Sequence, residues 1–145
     1  MLNAEGAQAP SGVGSCGMAH ELAYDPADPI LARVRELALA FPGASEKVSV
    51  GHATFYTKKV FAWYGMSYKD DGAWHRVPQA VSVLLPEDER LSLLGRDDVY
   101  IPGYIGPFGW LGLRLTDDTD WTEIAELLEE SYRNTAPARL VAQLP

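Results

Sequence analysis

His52 is the residue of this chain whose type and setting come closest to catalytic chemistry. It stands in the segment GHATF, residues 51–55, just ahead of a predicted strand, where an imidazole could act as a general base or proton shuttle. No nucleophile is marked for it, because the motif Gly-x-Ser-x-Gly is absent and Ser45, Ser49 and Ser67 have no distinguishing context. We therefore predict no catalytic residue. The preferred role of His52 is a hydrogen bond to backbone at the entry of the strand, and an enzyme built around His52 is an alternative.

The potential metal ligands of the chain lack the spacing of a metal site. His20, His52, His75 and the single cysteine, Cys16, are scattered along the sequence. The acidic run DDTD at 117–120 suggests calcium, but it lacks the glycine that an EF-hand loop needs at its sharp turn. Helix capping accounts for the last aspartate of that run without a metal. We predict neither a metal nor a cofactor.

Residues 100–110, YIPGYIGPFGW, have the composition of a binding loop. Their three glycines are spaced as G-x-x-G-x-x-G, which is neither a dinucleotide fingerprint nor a P-loop. Such glycines either allow positive φ angles in a structural turn or give aromatic side chains a flexible frame for a ligand. Together with the sheet face near His52, this loop is the preferred contact surface. Its candidate ligand-binding residues are His52, Lys59, Tyr104 and Trp110.

Lysines lie beside aromatic residues in a second stretch, which raises the alternative of nucleic-acid binding. Residues 47–78 have a local charge of +3, whereas residues 87–130 carry twelve acids against three arginines, a balance of −9. A predicted hairpin turn in the basic stretch could meet phosphates and stack on bases. The net charge of −8 argues against broad contact with a phosphate backbone. The candidate residues of this alternative are Lys58, Lys59, Tyr56 and Trp63.

Cap residues and helical periodicity predict two long helices. The first begins at Asp28, an N-cap followed by proline at the first helical position, and ends by Phe41. The last follows Asp120, where a glutamate three residues later completes a capping box. A shorter helix follows Pro86, and a break at 136–137 precedes a short C-terminal helical piece. The inner face of the last long helix is predicted to contain Trp121, Ile124, Leu128 and Tyr132.

Enrichment in β-branched and aromatic residues predicts the strands. Residues 65–78 are either a long hairpin loop or two frayed strand ends, with a turn signal at Asp70-Asp71-Gly72, and residues 96–109 are predicted to be irregular. The resulting order predicts an α+β domain with helices packed on a mostly antiparallel sheet. The predicted strands are 47–50, 53–57, 60–64, 80–85 and 110–115.

Length and composition are those of one globular domain. The 145 residues, 47% hydrophobic and 22% charged, are enough to bury a hydrophobic core without disulfides or a structural metal. Residues 1–20 are rich in Gly, Ala and Ser, so we predict a flexible tail there and a single domain at 21–145, with either Met1 or Met18 as the start. The sequence shows no secretory signal or apolar span, and its lone cysteine cannot form an internal disulfide. These features predict a cytoplasmic protein without membrane association.

With these elements placed, the chain resembles the MmcQ/YjbR-like family of small bacterial proteins over about residues 28–140. One departure is Ala53, where the family usually has a proline after the histidine. The resemblance implies a CyaY-like α+β fold, likened to the "double wing" of some DNA-binding proteins, and no established activity. The segments that carry it are LALAFPGA at 37–44 with Glu46, GHATF at 51–55, KVFA at 59–62, Tyr104, WLGLRL at 110–115, Trp121, ESYR at 130–133, and Ala136-Pro137.

The sequence thus leaves three hypotheses about function. The preferred one is a non-enzymatic binding domain for a small molecule or a protein partner. The alternatives are nucleic-acid binding through a basic hairpin wing and an enzyme that uses His52.

Overall fold

The computed structural model describes residues 22–145, and its elements follow the predicted order. None of the helices in this range is long and apolar enough to cross a membrane. The predicted tail at 1–20, the alternative start at Met18, and Cys16 and His20 lie outside the described residues. The helices are α1 (Pro29–Leu39), α2 (Glu87–Leu93), α3 (Trp121–Thr135) and α4 (Ala138–Val141). The strands are β1 (Ser45–Ser49), β2 (His52–Tyr56), β3 (Val60–Tyr64), β4 (Tyr68–Asp70), β5 (Ala73–His75), β6 (Ala80–Leu84), β7 (Val99–Tyr100) and β8 (Trp110–Arg114).

Six strands form one antiparallel sheet in the order β1-β2-β3-β6-β8-β7. The buried residues of α1 and α3 pack with those of the strands in one hydrophobic core. The predicted α+β class, with helices on an antiparallel sheet, is therefore confirmed. Strands β4 and β5 form a separate hairpin. Its two-residue turn, Asp71-Gly72, has φ angles of 50° and 77°, as expected for the Asp-Gly pair in a type I′ turn.

Helix α1 begins at the predicted cap, and that cap also ties the helix to the sheet. The Asp28 carboxylate accepts hydrogen bonds from the Ile30 amide (2.9 Å), the Tyr64 hydroxyl (2.6 Å) and the Gln79 side-chain amide (3.0 Å). Burial by itself raises the pKa of Asp28, but these hydrogen bonds outweigh it and hold the pKa below its usual value. Tyr64 belongs to β3, so the cap fixes α1 against the centre of the sheet.

Helix α3 presents the predicted inner face, with one difference at its first turn. Ile124, Leu128 and Tyr132 are buried, and the half-buried Trp121 packs against the same core, with the guanidinium of Arg33 4.2 Å from its ring centroid. The Asp120 side chain accepts from the Glu123 amide (3.2 Å), which confirms the cap. The Glu123 carboxylate is bound by Arg96 instead (2.8 Å). Only one half of the predicted capping box is therefore formed.

The stretch 96–109, predicted to be irregular, contains the short strand β7 and a 3₁₀ turn at 106–108. Tyr100 of β7 pairs with Gly112 of β8. A Cβ added at Gly112 would come within 2.5 Å of the Tyr100 ring, so the glycine leaves the space in which that ring lies. The Tyr100 hydroxyl donates to the carbonyl oxygen of Met66 (2.5 Å). This contact holds the segment before β4 against the sheet.

Candidate functional site

His52 begins β2 rather than preceding it. Its neighbours Ala53 and Phe55 belong to the helix-side core, so strand alternation places His52 on the opposite face of the sheet. Its Nδ1 lies 2.9 Å from the carbonyl oxygen of Tyr64 on β3, which confirms the predicted bond to backbone. A carbonyl oxygen can only accept, so Nδ1 carries the proton and Nε2 of the neutral ring keeps a lone pair.

The protonation of His52 is biased toward that neutral form. Burial lowers the pKa of His52, the hydrogen bond to Tyr64 opposes this effect, and the positive charge of Arg76 adds to the lowering. The net result is a pKa below the usual value for histidine. His52 therefore offers a hydrogen-bond acceptor at neutral pH.

A largely apolar cleft surrounds His52. One part of it has a volume of about 470 Å³ and a second, smaller part about 260 Å³, and both are lined by His52, Met66 and Tyr104. The combined space is that of a small-molecule site. The first part is also lined by Val50, Trp63 and Ile105, and the second by Ser67 and Trp74.

Val50 reaches the cleft from a strained turn. Residues 50 and 51 join β1 to β2 with φ angles of 52° and 83°, the left-handed pair of a type I′ turn. That turn favours Asn-Gly, because asparagine tolerates the left-handed region, whereas a β-branched residue there is a genuine outlier. Val50 is also 60% exposed, so core burial does not account for the valine.

Tyr104 is the second wall residue with left-handed backbone, at φ 56°. Its ring stacks on Trp74 with centroids 5.0 Å apart and planes at 23°. The adjacent Gly103 donates its amide hydrogen to the Ser67 carbonyl (2.8 Å), and a Cβ there would come within 2.7 Å of the Trp74 ring. These contacts hold the β4–β5 hairpin against the loop. Among residues 22–145, only Asp71, in the hairpin turn, joins Val50 and Tyr104 as a non-glycine residue with positive φ.

The structure separates the four residues of the preferred surface into two pairs. His52 and Tyr104 line the same cleft. Lys59 lies in the turn between β2 and β3, at the other end of β2 from His52. Trp110, the first residue of β8, pairs with Leu84, the last residue of β6. Because β6 runs antiparallel to β3, the end of β6 lies beside the start of β3, which is the Lys59 end of the sheet. Cleft and turn are thus separated by the length of one strand.

The residues of the nucleic-acid alternative are divided in the same way. Trp63 lines the His52 cleft. Lys58 and Lys59 lie together at the opposite end of β2 and border a different cavity. Tyr56 lies beneath Lys47, whose Nζ is 4.6 Å from the ring centroid.

Ile105 belongs to the loop that the sequence predicted as a contact surface, but sequence reasoning missed Val50, Met66 and Trp74 as cleft residues. A signal was present for one of them, since Val-Gly occupies a two-residue turn between strands where Asn-Gly is expected. Met66 and Trp74 have no local signal, because they reach the cleft only when the β4–β5 hairpin folds against the loop at 101–109.

The cleft shows no assembled catalytic group within the described residues. In residues 22–145, His52 makes one side-chain hydrogen bond, to the Tyr64 carbonyl. Ser67 lines the same space but does not hydrogen-bond to His52 in this part of the chain. The described range also has no group of three or more His, Cys, Asp or Glu side chains placed to hold a metal. The arrangement can accept a hydrogen bond and enclose an apolar surface.

Comparison with known proteins agrees with the resemblance seen in the sequence. No curated protein matches the chain significantly. A sequence profile of the YjbR family matches residues 39–134. The match begins at the end of α1 and includes the whole sheet and almost all of α3, so it contains every residue named above as lining the cleft. The chain therefore belongs to the YjbR family.

Proposed function

We propose that this chain is a non-enzymatic binding domain whose cleft at His52 captures a small molecule with a flat apolar body. One observation carries the proposal: Val50 and Tyr104 both line that cleft from separate loops, each with left-handed backbone. Left-handed backbone costs an L residue about 1–2 kcal/mol, and such strain clusters at functional sites. A role as cleft walls gives both side chains a reason to occupy positions that are unfavourable for folding.

The lining supports a definite ligand chemistry. Trp63 and Tyr104 offer aromatic rings, and Val50 and Ile105 offer aliphatic surface. Nε2 of the neutral His52 ring has no hydrogen-bond partner in the described residues and is an acceptor. A ligand with an N–H or O–H donor on an apolar ring system satisfies both features. The cleft volume supports a small molecule over a protein partner.

The two other hypotheses have less support. Nucleic-acid binding needs the lysines and aromatic rings on one surface, yet Trp63 lines the His52 cleft, whereas the lysine pair lies at the far end of β2 from His52 and borders a different cavity. Catalysis by His52 needs a nucleophile or acid bonded to it, and none is bonded to it within residues 22–145. The cytoplasmic location stays a prediction from the sequence.

The proposal can be tested with indole, a flat ring system with one N–H donor, and with 1-methylindole, which lacks the donor. We expect indole to bind with a dissociation constant on the order of 1 mM, as for a fragment, and to perturb the NMR signals of His52 and Tyr104. 1-Methylindole should bind more weakly, because it cannot donate to His52.

A matched pair of variants separates the cleft from the rest of the loop. Tyr104 and Phe108 are almost equally exposed, at 75% and 77%, but only Tyr104 lines the cleft. Tyr104→Ala should reduce indole binding severalfold, whereas Phe108→Ala should leave it unchanged. Equal effects of the two substitutions, or indole signals that map away from His52, would refute the proposed site.

A further inference from the structure

A second concave surface lies at the opposite end of β2 from His52. It is formed where the turn between β2 and β3 meets the junction of α3 and α4. One cavity there has a volume of about 450 Å³ and a neighbouring one about 400 Å³, and the two share Lys58, Pro137 and Arg139. The first is also lined by Lys59, Thr135 and Ala136, and the second by Gly43, Thr57 and Leu140.

Three cations meet at this surface without a compensating acid. Neither lining contains an aspartate or glutamate. The ion pairs within residues 22–145 use other arginines, so Lys58, Lys59 and Arg139 have no acidic partner in that part of the chain. The carboxyl end of α3 contributes roughly half a negative charge, which offsets only part of the three positive charges. In a protein of net charge −8, this local excess of positive charge attracts an anion.

A buried hydroxyl group that lacks a hydrogen-bond partner is a second observation at this surface. Oγ1 of Thr57 is buried and has no hydrogen-bond partner among residues 22–145, although Thr57 lines the second cavity. Buried polar atoms without a partner are uncommon in folded proteins and call for an explanation. An anion seated between Lys58 and Arg139 would supply an acceptor for this hydroxyl after a small movement of the turn.

We propose that Lys58, Lys59 and Arg139, with the Thr57 hydroxyl, bind the phosphate group of a small phosphorylated molecule. An arginine guanidinium can bind two phosphate oxygens at once, and the lysines add point charges. Three cations around one concavity fit a single phosphate group, whereas duplex binding relies on a longer row of phosphate contacts. The site is separate from the His52 cleft, so it does not depend on the function proposed for that cleft.

The test is an amide NMR titration of the full chain with inorganic pyrophosphate at low ionic strength. We expect saturable shifts confined to residues 57–59 and 135–140. Lys58→Gln and Arg139→Gln should each weaken the interaction about tenfold, because each removes a charge-assisted hydrogen bond. Lys69→Gln is the matched control, an exposed lysine on β4 that lines neither cavity, and it should bind like the wild type.

Lys58 and Arg139 are exposed, so their variants should fold, and thermal unfolding of each variant verifies this. The proposal is overturned if pyrophosphate causes no saturable shift or if Lys69→Gln weakens binding as much as Arg139→Gln. It is also overturned if a short DNA duplex moves the same amides at lower phosphate concentration than pyrophosphate. That last result would support nucleic-acid binding in its place.

Discussion

Replacing Val50 with asparagine should stabilise the protein while weakening ligand capture in the His52 cleft. The left-handed backbone at φ 52° costs valine about 1–2 kcal/mol, and asparagine avoids most of that cost. Val50 is 60% exposed, so the apolar burial lost is only about 0.5 kcal/mol. The expected net gain is about 1 kcal/mol, which for a domain of this size raises the melting temperature by about 3–5 °C.

The assay is thermal and urea unfolding followed by circular dichroism, with Val48→Asn as the control. Val48 is 54% exposed and lies in the same hairpin, but it pairs regularly with Ala53 in the β ladder. Asparagine is a poor strand residue, so this control should lose up to about 1 kcal/mol. The reasoning fails if Val50→Asn melts at or below the wild-type temperature, or if Val48→Asn gains as much.

Three further predictions concern other parts of the fold. Ser131→Ala should lose about 1–3 kcal/mol in urea unfolding, because the Ser131 hydroxyl donates to the Phe61 carbonyl (2.6 Å) and accepts from the Leu84 amide (2.9 Å) in the core; exposed Ser92→Ala should change stability by less than about 0.5 kcal/mol. Gly103→Ala should displace the Trp74 ring from Tyr104, remove the contribution of Trp74 to the near-ultraviolet circular dichroism and weaken indole binding. An unchanged near-ultraviolet spectrum would contradict the view that Gly103 makes room for the stacked Trp74 ring. Because the pKa of His52 is lower in the folded protein, the unfolded chain protonates this histidine first as the pH falls, so the free energy of unfolding should decrease below about pH 6.5. His52→Asn should remove this part of the pH dependence, and a variant with the same pH profile as the wild type would contradict the argument.

The local elements could be predicted because their signals lie within a few residues. Asp28 followed by proline sets the start of α1, and Asp120 sets the start of α3. The Asp-Gly turn of the β4–β5 hairpin was also visible, although the pairing of its short strands was not. Strand β7 escaped prediction because Val99 and Tyr100 are held by pairing with Leu113 and Gly112 on β8, and no local pattern reports that pairing.

The sequence by itself determined that His52 and the loop at 100–110 were candidates, because a histidine at a strand entry and a Gly-rich aromatic loop are local features. Only the tertiary structure decided which candidates meet. An extended strand separates its two ends by its own length. Lys59, in the turn after β2, therefore lies at the far end of that strand from His52, although only seven positions separate the two residues in the sequence. Trp74 reaches Tyr104 only because Gly103 leaves room for its ring, and such contacts between distant segments follow from packing in three dimensions.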